Sequence, residues 1–294
     1  MSAPNPPTHA WWPRASCDDA CVQAGAGHAA RRATVALRVL LVLLLVPALP
    51  LLAVPLPGRS WAQRAYCRLV LRSFGVRITV TGGPLRNLPG VLVVSDHMSW
   101  LDVITIGAVF PVNRSQPLSF VARADVARSL AVRMMAPIIK VIPIDRDSLR
   151  QLPRVVGVVA DRLHTGDTVV AFPEGTTWCG LASGRFRPAM FQAAIDAGRP
   201  VQPLRLRYHH SDGRVSTAPA FIGDDTLLTS MRRLLFARCT VARVCVESLQ
   251  LPGTDRRELA RRCQAAVRDE FAASARQELP RLHQLVSVGV EEFL

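Results

Sequence analysis

The sequence predicts an α/β domain, a mainly parallel sheet flanked by helices, preceded by an N-terminal membrane-associated helical segment. Three observations lead there. Short β-rich runs alternate with helical stretches from Gly75 onward, the texture of a parallel sheet with crossover helices. A charge-free stretch, VLLVLLLVPALPLLAVPLP, runs from Val39 to Pro57. The chain of 294 residues is long enough to bury a sizeable core.

Taken in order, residues 1–30 are rich in Pro, Ala and Gly without an apolar period and are expected to form a disordered tail. Residues 31–74 make up the expected membrane-anchoring helical segment. The apolar run is close to the ~20 residues a helix needs to cross a bilayer. Pro47, Pro50 and Pro55 interrupt it, so a kinked span or a re-entrant hairpin fits better than one straight helix. Arg31, Arg32 and Arg38 precede the run, and Arg59, Arg64, Arg68, Arg72 and Arg77 follow it. That excess places everything downstream on the cytoplasmic face of the membrane. Arg64, Arg68 and Arg72 recur at four-residue spacing, which predicts a helix with a basic side and an apolar, aromatic side.

Residues 75–294 are expected to form the catalytic domain. Its predicted strands are Val76–Thr81, Val91–Ser95, Leu118–Ala122, Ile139–Ile144, Thr168–Phe172, Val201–Tyr208 and Cys239–Glu247. Helices are predicted at Leu101–Phe110, Val126–Ala136, Ser148–His164 and Pro188–Ala197. Asp255 and Glu258 read as a capping pair for a terminal helix through Ala273.

Formal net charge is +14, so the expected partners are anionic: nucleic acid or an anionic membrane surface. Nucleic acid is set aside, because the basic residues are scattered, only two tyrosines are present and no RNA-binding or zinc motif occurs. Lys140 is the only lysine; the rest of the positive charge is arginine, whose planar fork grips phosphate with two hydrogen bonds. Cysteines at 17, 21, 67, 179, 239, 245 and 263 form no C-x-x-C and no zinc-like spacing. They read as buried thiols without chemistry, and no metal or cofactor is expected.

Two clusters carry candidate chemistry. Ser95-Asp96-His97-Met98-Ser99-Trp100-Leu101-Asp102 follows an apolar strand. There His97 and Asp102 can face one another, the carboxylate fixing the imidazole tautomer and the free ring nitrogen taking a proton from a hydroxyl. The spacing alone fits a helix-capping histidine equally. The second cluster, Phe172-Pro173-Glu174-Gly175-Thr176-Thr177, ends a buried strand at the sheet edge where open α/β sheets bind ligands. Gly175 permits close backbone approach, and Thr176 offers a hydroxyl and an amide to a polar headgroup.

HMSWLD followed by FPEGT resembles the glycerolipid acyltransferases, in particular the bacterial 1-acylglycerol-3-phosphate acyltransferases. Two further blocks match in order, Lys140 to Arg146 (KVIPIDR) and Arg199 to Leu206 (RPVQPLRL). The resemblance implies His97 as general base, Asp102 as its orienting partner and Arg146 as a ligand for the acceptor phosphate. It further implies that Glu174 and Gly175 line the acceptor site and that Pro203 shapes its wall. The donor would be acyl-CoA or acyl-carrier protein, the acceptor a lysophospholipid, and no covalent acyl-enzyme would form. The sequence departs from the family in three places. Asp96 stands where asparagine is common, Lys140 and Pro143 alter the second block, and Thr177 replaces the arginine after F-P-E-G-T. Arg185 or Arg187 would then serve the phosphate. Otherwise the acceptor is another lyso-lipid, such as lyso-ornithine lipid, whose acyltransferases resemble this chain at Thr177.

Overall fold

The β-branched runs assemble into one seven-stranded sheet in the computed structural model, which describes residues 13–24, 29–54, 58–85, 88–110, 118–125, 140–145 and 149–268. The strands are β1 (Val76–Gly82), β2 (Leu92–Ser95), β3 (Leu118–Arg123), β4 (Lys140–Ile144), β5 (Thr168–Ala171), β6 (Val201–His210) and β7 (Thr240–Val246). Their order is β1-β7-β6-β2-β5-β3-β4. Every ladder is parallel except β6 with β7. β2 and β5 are buried along their whole length, which explains the consecutive apolar residues Leu92-Val93-Val94 and Val169-Val170-Ala171. Pro143 is tolerated because β4 is an edge strand.

The helices are α1 (Asp19–Ala24), α2 (Arg32–Leu45), α3 (Arg59–Ser73), α4 (Leu101–Val109), α5 (Leu152–His164), α6 (Ala189–Asp196), α7 (Leu227–Phe236) and α8 (Arg256–Arg268). They cover both faces of the sheet. Strand alternation sends Val93, Val170 and Leu206 to one face, where Leu71 of α3, Ile106 of α4 and Leu234 of α7 meet them. Leu92, Val94 and Val169 point to the other, against Leu163 of α5, Phe191 of α6 and Leu259 of α8. Each fully buried side chain of this kind stabilises the fold by about 1.5–3 kcal/mol.

Caps fix the helix starts. Thr226 accepts from the Thr229 amide at the head of α7 (3.1 Å). Asp255 accepts from the Arg257 amide at 2.7 Å, as expected of a cap. Its expected partner Glu258 pairs instead with Arg261 and Arg262 along the helix. The expected helix at Val126–Ala136 and the last residues of the terminal helix lie outside the described residues.

The N-terminal tail differs from expectation. Residues 13–24, expected within a disordered tail, carry α1, and Val22 is buried in the core, its carbonyl accepting from Thr217 Oγ1 at 2.9 Å. Over its described residues the apolar run is broken, as its prolines predict. α2 has 14 residues, a rise of about 21 Å, short of the ~30 Å hydrocarbon core. Pro47 and Pro50 then start two 3-10 turns, Val46–Ala48 and Pro50–Ala53. Among the described residues, no helix is long and apolar enough to cross a membrane.

Arg38, read from sequence as a flanking charge, is buried. Its guanidinium donates to the carbonyls of Leu235, Ala237 and Arg238 at 2.5–2.8 Å, at the C-terminal end of α7. Gly75, at φ 74°, makes room for it, since a Cβ there would lie 2.1 Å from Arg38 Nη2. On α3, Arg68 Nε donates to the Ala108 carbonyl at 3.2 Å, holding that helix to the end of α4.

Candidate active site

β2 ends at Ser95, and the chain turns through residues 96–100 into α4. The turn is built around one carboxylate. Asp102 is fully buried; its Oδ2 accepts from the amides of Met98 (2.7 Å) and Ser99 (2.9 Å) and from His97 Nδ1 (2.9 Å). Its Oδ1 accepts from the Tyr208 hydroxyl at 2.8 Å. Four hydrogen bonds offset the desolvation of the charge. Tyr208, buried in β6, is held well above the usual tyrosine range by burial and then by the Asp102 charge. It therefore remains protonated and donates.

With Nδ1–H directed at Asp102, Nε2 is the basic nitrogen of His97. The ring stacks on Phe172, centroids 4.0 Å apart and planes at 14°. Phe172 follows β5, which lies beside β2 in the sheet. Adjacent parallel strands thus deliver the base and its aromatic support to the same C-terminal edge.

Glu174 was expected to line the acceptor site. It does border a recess beside His97, with Asp96, Trp178, Ser183 and Arg207. Its carboxylate, however, serves the loops, Oε2 accepting from the His97 amide (3.0 Å) and Oε1 from the Gly184 amide (2.8 Å). Burial, then the neighbouring Asp96, pushes Glu174 up to about 8, while the two amide bonds pull the other way. Asp96 is itself pushed up to about 6 by burial, opposed by the Arg207 guanidinium 3.6 Å away. It caps nothing.

Gly175 sits at φ 76°, in the turn that follows Glu174. A Cβ there would meet Pro13 at 3.2 Å and Arg187 Cδ at 3.6 Å. Arg187 is therefore brought beside the turn, its pKa lowered by burial, and its amide donates to the Pro173 carbonyl at 2.9 Å. Thr176 is half-buried on the same turn. Thr177 turns away, its hydroxyl donating to the Phe221 carbonyl. Arg185 is exposed, and Arg146 lies outside the described residues. Pro203 stands in β6 opposite Val94 of β2.

Sequence reasoning missed Tyr208, Phe172 as the ring platform, and the Asp96–Arg207 pair. The two tyrosines offered a faint signal for the first, since a lone tyrosine in an apolar strand needs a buried partner for its hydroxyl.

A family model described as Acyltransferase matches residues 77–207. A 1-acyl-sn-glycerol-3-phosphate acyltransferase from Neisseria meningitidis is 33% identical over 178 residues, covering 60% of this chain and 67% of that one. A lyso-ornithine lipid O-acyltransferase from Pseudomonas aeruginosa is 35% identical over 212 residues, covering 71% of this chain and 76% of the relative. The chain belongs to the acyltransferase family. A crystal structure of the 1-acyl-sn-glycerophosphate acyltransferase from Thermotoga maritima is 16% identical, covering 82% of this chain and 97% of that one at a TM-score of 0.49. The acyltransferase is an enzyme related to proteins named for two different lyso-lipid acceptors, and its matched region contains His97, Asp102 and the F-P-E-G-T turn together.

Proposed function

We propose that this acyltransferase moves a fatty acyl group from acyl-CoA or acyl-carrier protein to the free hydroxyl of 1-acylglycerol 3-phosphate, giving phosphatidic acid. The observation that carries the chemistry is the His97–Asp102–Tyr208 chain of hydrogen bonds. It orients the imidazole with Nε2 directed away from Asp102, available for a substrate proton, and surrounds the imidazolium's counter-charge with fixed donors.

The acceptor hydroxyl attacks the thioester carbonyl carbon while Nε2 takes its proton. The tetrahedral intermediate collapses, the C–S bond breaks, and the imidazolium returns the proton to the departing thiolate. An ester and a free thiol result, with no acyl-enzyme. Asp102 stabilises the imidazolium through its contact with Nδ1. Phe172 supports the ring on one face. Arg187 is the candidate phosphate ligand beside Gly175, and Arg146 is a second from the sequence match.

A second acceptor, lyso-ornithine lipid, is favoured by Thr177, whose hydroxyl is committed to Phe221, so this position offers no cation to a phosphate monoester. The membrane reading rests on an apolar surface. Leu40, Leu43 and Leu44 of α2 are exposed, as are Leu51 and Trp61 nearby in sequence. Such a patch seats a protein in the interface of a bilayer without crossing it. The arginine excess that follows the apolar run favours the cytoplasmic face.

Purified enzyme given one acyl thioester and a panel of lyso-lipids tests the acceptor. Preferred ester formation on 1-acylglycerol 3-phosphate is expected. Turnover confined to lyso-ornithine lipid installs the second reading, and release of free fatty acid without any ester product overturns the acyl-transfer reading.

A further inference from the structure

Cys17 and Cys21 lie four residues apart, Cys179 lies far from both in sequence, and all three looked inert there. Folding brings their three Sγ atoms within 4.8 Å of one another. Cys21 lies on α1, Cys17 just before it, and Cys179 on the loop that follows the F-P-E-G-T turn. All three thiols are free, and the Cys179 amide donates to Cys17 Sγ at 3.4 Å. Two of the sulfurs are half-buried and the third is buried.

We propose that these three cysteines form a site for a thiophilic ion, Zn²⁺ in the first instance, that fastens the N-terminal segment over the active-site turn. Thiolate ligands hold zinc at about 2.3 Å, which places tetrahedral sulfurs about 3.8 Å apart. The observed cluster needs only a small contraction to reach that spacing. Soft sulfur ligation selects Zn²⁺ or Cu⁺ over magnesium or calcium. Binding the ion would deprotonate the thiols and release their protons to solvent. Three protein ligands leave one position for solvent.

The location gives the site a use. The segment bearing Cys17 and Cys21 packs Pro13 over Gly175 and inserts Val22 into the core. Cys179 adjoins Trp178, whose amide donates to the His97 carbonyl at 2.8 Å. An ion joining the three sulfurs ties a six-residue helix, too short to be stable alone, to the loop that holds His97.

The test uses the full chain, purified in detergent under a non-chelating reductant, loaded with Zn²⁺ and freed of excess. Metal analysis should find about one zinc per chain, the stoichiometry of a single three-thiolate site. Cys17→Ser, Cys21→Ser and Cys179→Ser should each weaken zinc binding beyond the about 10–100-fold that loss of an outer-shell partner costs. Cys239→Ser and Cys245→Ser, remote from the cluster, should retain it. Co²⁺ added to the unaltered enzyme should give a thiolate-to-cobalt charge-transfer band, a readout independent of whether any variant folds. Zinc no higher than in the triple serine variant, absence of that band, or a disulfide among these cysteines under the same reducing conditions would overturn the proposal.

Discussion

Tyr208→Phe isolates the support behind the base. The substitution keeps the buried ring and removes only the hydroxyl that donates to Asp102 Oδ1 at 2.8 Å. Asp102 retains its bonds to His97, Met98 and Ser99, so the turn should persist. The lost bond goes to a fully buried carboxylate, and such charged hydrogen bonds are worth about 1.5–3 kcal/mol. Stability to urea should fall by that amount. The same energy sets the ceiling on the catalytic effect, roughly ten- to a hundredfold in kcat. KM should hold, because Tyr208 is wholly buried behind Asp102. Asp102→Asn should do worse, on the order of 10³–10⁴ in kcat, since it removes the counter-charge and presents a donor to donors. Denaturation followed by tryptophan fluorescence, beside initial rates of ester formation, measures both quantities. Unchanged stability with unchanged kcat would refute the buried network as drawn, as would a Tyr208→Phe loss equal to that of Asp102→Asn.

The two raised carboxyls give stability a pH slope. Asp96 and Glu174 bind protons more tightly folded than unfolded, with values moved from 3.8 to about 6 and from 4.5 to about 8. Their stabilisation is therefore full below about pH 4 and is lost as pH rises through about 8. The urea midpoint of the Asp96→Asn/Glu174→Gln variant should fall less across that window than the parent's; equal slopes would count against both assignments. Arg187→Ala should raise KM for 1-acylglycerol 3-phosphate by roughly ten- to a hundredfold, the worth of one charged hydrogen bond, and an unchanged KM removes Arg187 from the acceptor site. Leu40→Ser/Leu43→Ser/Leu44→Ser should weaken sedimentation with anionic vesicles by at least about tenfold, given about 1.5–3 kcal/mol per fully buried leucine. Undiminished binding would place the membrane contact elsewhere.

Strand positions were legible because most rest on a local apolar run, and β2 and β5 declared their burial by the uninterrupted Leu92-Val93-Val94 and Val169-Val170-Ala171. His97 and Asp102 were legible because five residues of one turn bring them together. The rest needed the strand order. Tyr208 reaches Asp102 from 106 residues away, and only the placement of β6 beside β2 makes them neighbours. The same holds for Cys17 against Cys179, 162 residues apart. Glu174 shows a different limit. Its motif marked a loop that folds beside His97, but spacing cannot say whether a carboxylate at a strand end faces a ligand or two backbone amides. Hydropathy found the apolar run and its prolines marked the interruption, but only the structure shows that Pro47 and Pro50 carry it as 3-10 turns after α2. Arg38 looked like a flanking charge because nothing local reveals the carbonyls of α7 that bury it.

The central claim is that His97 removes the acceptor's proton during direct transfer from a thioester. The most direct measurement follows ester product and released thiol together, in unaltered enzyme and in His97→Ala, at saturating lyso-lipid and donor. The two products should appear in equal amounts without an initial burst of thiol, and His97→Ala should lower both by about 10²–10⁴ or more while remaining folded and lipid-bound. Near-normal turnover of His97→Ala, or a burst of thiol before ester in the unaltered enzyme, would contradict the mechanism.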